Sequence, residues 1–158
     1  MIVFFKNITD RVFYSRGSFK IVIEFSTFIS ISTKYGKGGC IFLEKNGQIV
    51  QNRVCSTDCW ANDSGQHNYC YTSQGNTKNW ILSSAISRTI NEEIGEVSIY
   101  FYHGQQYLYN SNISYFKTFR VSAYIFCTPD TESNSTLNSV INNTSSVEIC
   151  IFFQYRYW

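Results

Sequence analysis

NTKNWILSSAISRTINEEIG, residues 76–95, is the segment on which the predicted architecture of this chain depends. Apolar residues recur in it at helical spacing, at positions 82, 86, 90 and 94. Thr77 or Asn79 can cap the start of a helix, and Gly95 stands where a helix would end. The sequence therefore predicts one α-helix here.

The apolar positions of this helix would spread over more than half of its circumference, because positions 80, 81 and 85 are apolar as well. A helix that packs on a flat sheet needs a narrower apolar stripe. We therefore predict an α+β fold in which an antiparallel β-sheet curls around a single central amphipathic helix. A β-sandwich with one helix capping an end is the alternative.

The rest of the chain carries strand patterns. Residues 19–31 alternate between apolar and polar side chains, which indicates one buried face and hence an antiparallel sheet. Residues 113–127 and 147–158 predict further long strands. Asn46-Gly47 predicts a two-residue hairpin turn, and the glycine-rich stretch 34–39 predicts the turn that ends the first strand.

Composition limits what the chain can bind. Only 15% of its 158 residues are charged, the net charge is +2, and there is no run of Lys or Arg. We therefore expect no nucleic acid binding, because phosphate contacts need clustered basic residues. No apolar run is long enough to span a bilayer, so we expect no membrane insertion. Residues 1–158 are expected to form a single domain cut from a longer chain.

The six cysteines are compatible with three disulfides, which would indicate an oxidising, extracellular environment. Free thiols on a protein assembled partly in the cytosol are the alternative. Cys55, Cys59, His67 and Cys70 form a C-x3-C-x7-H-x2-C run, but this spacing departs from that of structural zinc sites. We predict no metal site and no cofactor.

Motifs for catalysis are missing from the sequence. The two histidines, His67 and His103, both lie in predicted turns. No nucleophile elbow, metalloprotease helix or phosphate-binding glycine loop occurs. Glu92 and Glu93 are neighbours, so on a helix they would project in different directions. We therefore predict that the protein is not an enzyme.

Residues 98–110, SIYFYHGQQYLYN, are rich in tyrosine and predict an antiparallel hairpin with His103-Gly104 as its turn. Tyr102 would then pair with Gln105, and Tyr100 with Tyr107. The residues Val97, Ile99, Phe101 and Leu108 would face the core. The opposite face would carry polar and aromatic side chains, namely Ser98, Tyr100, Tyr102, Gln105, Tyr107 and Tyr109.

Tyrosine combines an apolar ring with a hydroxyl and few rotatable bonds, which suits a solvated contact surface. Sugars present CH faces and a rim of hydroxyls, and such a surface can meet both. We therefore predict a ligand site formed by Tyr100, Tyr102, His103, Gln105, Tyr107 and Tyr109. Packing of the rings across strands is the alternative explanation. If the site lies elsewhere, the next candidates are Trp60, His67 and Tyr69.

The composition, the Asn/Ser/Thr-rich stretch and the closing strand SVEICIFFQYRYW, residues 146–158, resemble the membrane-distal head domain of a rotavirus spike protein. That resemblance implies a galectin-like β-sandwich on the virion surface, joined to the rest of the spike and without catalysis. It also implies host cell-surface glycans of lactosamine, blood-group or sialylated type as ligands. The predicted helix and the six cysteines depart from the familiar heads, so the resemblance is to a divergent, group B-like branch. The binding residues of the familiar heads cannot be transferred.

Two functions are compatible with these features. The first is a viral attachment module that binds host glycans weakly and gains strength from many copies on a particle. The second is a secreted or surface domain that binds another protein, such as a host immune factor. An exposed aromatic patch is expected for both.

Overall fold

The chain folds as a β-solenoid, which the computed structural model describes for residues 2–44, 47–72, 77–89, 92–127 and 132–153. The chain winds through three parallel sheets in the same order on each turn, and each turn is called a rung below. No described residue is helical. The predicted central helix is therefore wrong, and so is the alternative with a capping helix. Residues 78–87 instead contain two strands, Lys78–Leu82 and Ala85–Ser87.

Sheets A, B and C form the three faces of the solenoid. Sheet A consists of β1 (Val3–Lys6), β4 (Ser26–Ile29), β8 (Cys55–Thr57), β12 (Ala85–Ser87), β15 (Asn112–Ser114) and β19 (Ser139–Ile141). Sheet B consists of β2 (Phe13–Ser15), β6 (Ile41–Glu44), β10 (Ser64–Tyr71), β13 (Val97–Tyr102), β17 (Val121–Cys127) and β21 (Glu148–Phe153). Sheet C consists of β3 (Phe19–Glu24), β7 (Gly47–Asn52), β11 (Lys78–Leu82), β14 (Gln105–Tyr109) and β18 (Asn134–Thr136). Two short ladders join β5 (Ser32–Thr33) to β9 (Trp60–Ala61) and β16 (Lys117–Thr118) to β20 (Thr144–Ser145).

Every strand pairing among the described residues is parallel, so the predicted antiparallel sheet is wrong. Strand β13 pairs with β10 and β17, whereas β14 pairs with β11 and β18. The two strands of the predicted tyrosine hairpin therefore belong to different faces. His103 and Gly104, with φ of 60° and 74°, do form a tight turn, but it is the corner from sheet B to sheet C. The predicted turn residue Asn46 lies outside the described residues.

The alternation in residues 19–31 is interrupted at a corner. Phe25 has φ of 48°, which separates β3 from β4 and turns the chain from sheet C to sheet A. After this corner the inward position falls on Phe28, which is fully buried, and not on Ile29. Corners of this kind explain why one continuous strand was predicted where two are present.

The helical spacing in residues 76–95 has the same cause. Ser83, with φ of 47°, and Ser84 form the corner between β11 and β12. Ile81 before the corner and Ile86 after it both face the interior and are buried. Every second side chain faces the interior in each strand, and the two-residue corner shifts this alternation. The apolar residues of the two strands together therefore have spacings that resemble those of an amphipathic helix.

The corners between sheets C and A are held by a ladder of polar side chains. The Val54 N–H donates to Ser84 Oγ at 3.1 Å, and the Ser84 N–H donates to Ser111 Oγ at 3.2 Å. The Ser111 N–H in turn donates to Asn138 Oδ1 at 3.0 Å. These contacts join residues 27 or 30 positions apart, which is the length of one rung. They satisfy backbone groups at a bend where strand pairing cannot.

Replacing Ser111 with alanine should lower the free energy of unfolding by about 1–3 kcal/mol. Ser111 is 2% exposed, and its loss leaves the buried Ser84 N–H without an acceptor. Urea denaturation measures the change. Ser139→Ala, at an exposed position of β19, is the matched control and should change stability by less than about 0.5 kcal/mol. Equal losses of stability in the two variants would contradict a stabilising role of these polar side chains at the corners.

Candidate functional site

An aromatic ladder runs along the outer face of sheet B, and it consists of Tyr14, Phe42, Tyr69 and Tyr100. Successive ring centroids lie 5.2, 5.4 and 4.7 Å apart with planes inclined by 18°, 9° and 4°. The register explains this stacking, because the four residues are direct partners in β2, β6, β10 and β13. Tyr71 and Tyr102 stack beside it, with centroids 4.6 Å apart.

The structure divides the six predicted site residues between two faces. Tyr100 and Tyr102 lie in sheet B, and His103 follows them at the corner, where its ring contacts Tyr71 and Tyr102 edge to face. The other three residues lie in β14 of sheet C, and they are Gln105, Tyr107 and Tyr109. The predicted single face is therefore not formed.

The sheet C residues belong to a second aromatic group. The Tyr107 ring lies 5.8 Å from Trp80 and 6.4 Å from Tyr109, with planes inclined by 48° and 37°. The Lys78 ammonium lies 4.3 Å from the Trp80 ring. Gln105 donates a hydrogen bond from its amide to Glu132. This group is an aromatic patch on one sheet.

Stacking decides which aromatic surfaces of sheet B can meet a ligand. Phe42 and Tyr69 are only 6% and 7% exposed, because each ring is covered by its neighbours in the ladder. Packing of rings across strands was the alternative explanation for the predicted tyrosine face. It explains the presence of Phe42 and Tyr69 in the middle of the aromatic ladder. Tyr14 at its end is 53% exposed, and Tyr35 beside it is 87% exposed. Open ring surface thus lies at this end.

A cleft of about 430 Å³ lies at the same end of the ladder. Tyr14, Phe42 and Tyr69 of sheet B form one side, and residues 35–37 form the other. The cleft is lined by Arg11, Tyr14, Arg16, Tyr35, Gly36, Lys37, Phe42, Glu44, Asp63 and Tyr69. We refer to it below as the basic cleft.

The segment opposite the ladder is held rigidly. Arg11 donates from Nε to the Lys37 carbonyl at 2.7 Å and from Nη2 to the Tyr35 carbonyl at 3.2 Å. Gly36 and Gly38 have φ of 97° and 73°, a conformation that favours glycine. Residues 34–39 do turn the chain, as predicted, but they follow β5 and not one strand over 19–31. Residues 35–37 of this turn line the cleft.

Three cations lie against the rings of the cleft. The guanidinium carbons of Arg11 and Arg16 lie 5.2 and 5.7 Å from the Phe42 ring centroid. The Lys37 ammonium lies 4.6 Å from the Tyr69 ring centroid and 3.4 Å from the Tyr69 hydroxyl. Burial raises the pKa of Tyr69, and the charge of Lys37 opposes this only in part. The Tyr69 phenol therefore remains protonated at neutral pH.

Two carboxylates share the cleft with these cations. Glu44 pairs with Arg16 at 3.3 Å, and Asp63 accepts a hydrogen bond from the Ser64 hydroxyl at 3.2 Å. Within the described residues, no carboxylate oxygen lies within 4.0 Å of the Lys37 ammonium. Lys37 is thus a cation held in place by an aromatic ring and not by a counter-charge.

A buried cluster inside the solenoid contains the types of residue that often carry catalysis. His67 Nδ1 lies 3.0 Å from Ser56 Oγ, and its Nε2 lies 2.7 Å from Gln51 Oε1. Ser56 also donates to Cys59 Sγ at 3.3 Å. Burial opposes ionisation of the Cys59 thiol, but the neighbouring Cys40, His67 and Ser56 side chains outweigh it and lower its pKa.

Substrate cannot reach this cluster. Gln51 and His67 are 0% exposed, and Ser56 and Cys59 are 1% exposed. Their hydrogen bonds satisfy polar groups within the core. His67, one of the next candidates from the sequence, therefore has a structural role. Of the other two, Tyr69 lines the basic cleft and Trp60 is half-buried in β9.

The C-x3-C-x7-H-x2-C run does not converge on one point. Cys55 is exposed in sheet A, whereas Cys59, His67 and Cys70 are buried. Among the described residues, no group of three or more His, Cys, Asp or Glu side chains could hold a metal ion. Cys40, Cys55, Cys59 and Cys70 are free thiols, and the side chains of Cys127 and Cys150 lie outside the described part of the chain.

No protein-family model, curated protein or solved structure matches the chain. In the part that the structure describes, no helix is long and apolar enough to cross a membrane.

Proposed function

We propose that the chain is a glycan-binding attachment module without catalytic activity and that the basic cleft is its binding site. The observation that carries this proposal is the combination of open aromatic surface and hydrogen-bonding groups in one concave site. Tyr35 and Tyr14 offer apolar ring surface for the CH faces of a sugar. Arg16, Glu44 and Asp63 offer polar groups for its hydroxyls. Ligand sites typically combine these two features.

The proposed role is attachment of a particle to host cell-surface carbohydrate, of lactosamine, blood-group or sialylated type. The solenoid is not the galectin-like sandwich that the likeness to rotavirus spike heads implies, so that likeness adds no argument from fold. The proposal that the chain is part of a spike on a virion rests on its composition. The alternative is that the protein is secreted. Weak binding at each site would be raised by many copies on one surface.

Tyr35→Ala should weaken glycan binding at least about fivefold while the fold stays intact. The ring is 87% exposed and makes one wall of the cleft, so its removal costs contact with the ligand and little packing. A glycan array probed with a multivalent form of the chain identifies a ligand. NMR titration then compares affinities, which should be near millimolar for a single sugar. Phe119→Ala, a half-exposed aromatic outside the cleft, is the matched control.

Two results would contradict this proposal. If Tyr109→Ala abolishes binding and Tyr35→Ala does not, the site is the aromatic patch on sheet C. If the array is silent and the chain forms a stable complex with a purified host protein, it is a protein-binding domain. Circular dichroism and the melting temperature check that each variant is folded.

A further inference from the structure

We propose that the basic cleft selects saccharides that carry an oxyanion, either a carboxylate or a sulfate ester, and that Lys37 is the anchoring residue. This inference rests on the proposed function, because it names the class of glycan that the same site takes. The basis is the set of charged residues in the cleft, because stacking of a neutral sugar on the aromatic rings does not require them.

The balance of charge in the cleft leaves Lys37 available. Of the two carboxylates of the cleft, Glu44 pairs with Arg16 at 3.3 Å, whereas Asp63 faces the Ser64 hydroxyl, which also lies within hydrogen-bond distance of Glu96. Neither lies within 4.0 Å of the Lys37 ammonium. The Lys37 ammonium has three N–H donors and gives one to the Tyr69 hydroxyl at 3.4 Å. Two donors therefore remain for an oxyanion. A charged acceptor forms a stronger hydrogen bond with them than a sugar hydroxyl does.

The position of Lys37 is fixed before any ligand binds. Its backbone carbonyl is held by Arg11, and its ammonium is held over the Tyr69 ring. Fixing a long side chain in advance removes the entropy cost that usually weakens surface charge pairs. The cleft therefore presents a preorganised cation, in contrast to a lysine that moves freely in solvent.

Neighbouring groups single out Lys37 among the cations of the cleft. Arg11 and Arg16 lie over the same ladder, but Arg11 pairs with Asp10 at 3.4 Å and Arg16 pairs with Glu44 at 3.3 Å. Lys37 is the cation of the cleft that has no such partner among the described residues. The exposed Tyr35 ring can cover the sugar that carries the anion. An isolated inorganic anion would gain the charge contacts but not this ring contact.

Matched sugars test the inference most directly. Glucuronic acid is compared with glucose, and galactose 6-sulfate with galactose, by NMR titration at low ionic strength. Each acidic sugar should bind about tenfold more tightly than its neutral counterpart, and added salt should reduce the difference. Inorganic sulfate, as the third probe, should bind more weakly than galactose 6-sulfate because it lacks the ring contact.

Variants of Lys37 identify the anchor. Lys37→Met should remove the preference for acidic sugars, whereas Lys37→Arg should keep most of it. Lys78→Met is the matched control, because Lys78 also lies over an aromatic ring, 4.3 Å from Trp80, but on sheet C. It should leave the preference unchanged. Circular dichroism confirms that the variants fold.

The outcomes separate this inference from the proposed function. Equal affinities for acidic and neutral sugars, or a preference that survives Lys37→Met, would overturn the inference and leave glycan binding intact. Binding of inorganic sulfate that depends on Lys37, without binding of any saccharide, would overturn the proposed function and retain an anion site. Absence of all binding would overturn both.

Discussion

Replacing Phe28 with alanine should lower the free energy of unfolding by about 3–5 kcal/mol. Phe28 is fully buried in β4 and stacks on Phe5 with ring centroids 5.2 Å apart. Phe13 and His67 contact the same ring edge to face, at 6.3 and 6.1 Å. Removing the ring loses burial and leaves a cavity that neighbouring rungs cannot fill, because each rung is fixed by strand pairing on both sides. Urea denaturation measures the loss.

Phe4→Ala is the control for this prediction. Phe4 lies one strand away in β1, and its side chain is 68% exposed on the outer face of sheet A. The same truncation there should change stability by less than about 0.5 kcal/mol. If both variants lose the same amount, sheet A does not enclose an interior and the solenoid is wrong.

Gly39→Ala should destabilise the protein by about 3 kcal/mol or more, at the upper end of the range for overpacking. A Cβ at position 39 would lie 2.0 Å from the Gln66 carbonyl oxygen and 2.7 Å from the Trp60 carbonyl carbon. Both atoms are backbone of the next rung, so no side chain can rotate away. The two rungs would have to separate and break the hydrogen bond from the Gly39 N–H to the Gly65 carbonyl.

Gly17→Ala provides the comparison, because a Cβ there meets nothing within 4 Å. Gly17 lies between β2 and β3, and alanine should leave stability unchanged or raise it by up to about 1 kcal/mol. The midpoints of denaturation at constant slope give both values. A Gly39→Ala variant as stable as Gly17→Ala would show that the rungs do not approach each other at this corner.

The sequence predicted some strand segments and turns but not the corners that divide them, since residues 19–31 contain two strands and residues 113–127 contain parts of three. Alternation located β3, and the tight turn at His103-Gly104 was placed correctly between β13 and β14. The partner of each strand could not be predicted in this way. Alternation of apolar and polar side chains shows which face of a strand is buried, but it does not show which other strand lies beside it. A turn with two positive φ angles serves a hairpin and a solenoid corner equally well.

A sequence repeat of 27 or 30 residues, the length of one rung, is the signal that could have indicated a solenoid. Ser84 and Ser111 follow left-handed corner residues at equivalent places, and Asn138 takes the same role in the next rung. Small polar residues recur at these corners, and an aromatic residue recurs at one position of sheet B on four successive rungs. Repeats that share so few residues are hard to see without the register.

The candidate site was predicted only in part. Exposed tyrosine was recognised as a sign of ligand contact, and Tyr69 was a secondary candidate. Arg11, Tyr35 and Lys37 were missed, because they approach Tyr69 only after parallel stacking places β2, β6 and β10 side by side. No local spacing in the sequence indicates that convergence.

Backbone NOEs in the isotopically labelled chain test the central claim most directly, because they identify the neighbours of each strand. Parallel stacking predicts contacts between the amide and α protons of β10 and β13, around the partners Tyr69 and Tyr100. It equally predicts contacts between β11 and β14, around Trp80 and Tyr107. A Tyr100 to Tyr107 contact across an antiparallel pair would contradict the solenoid and restore the hairpin.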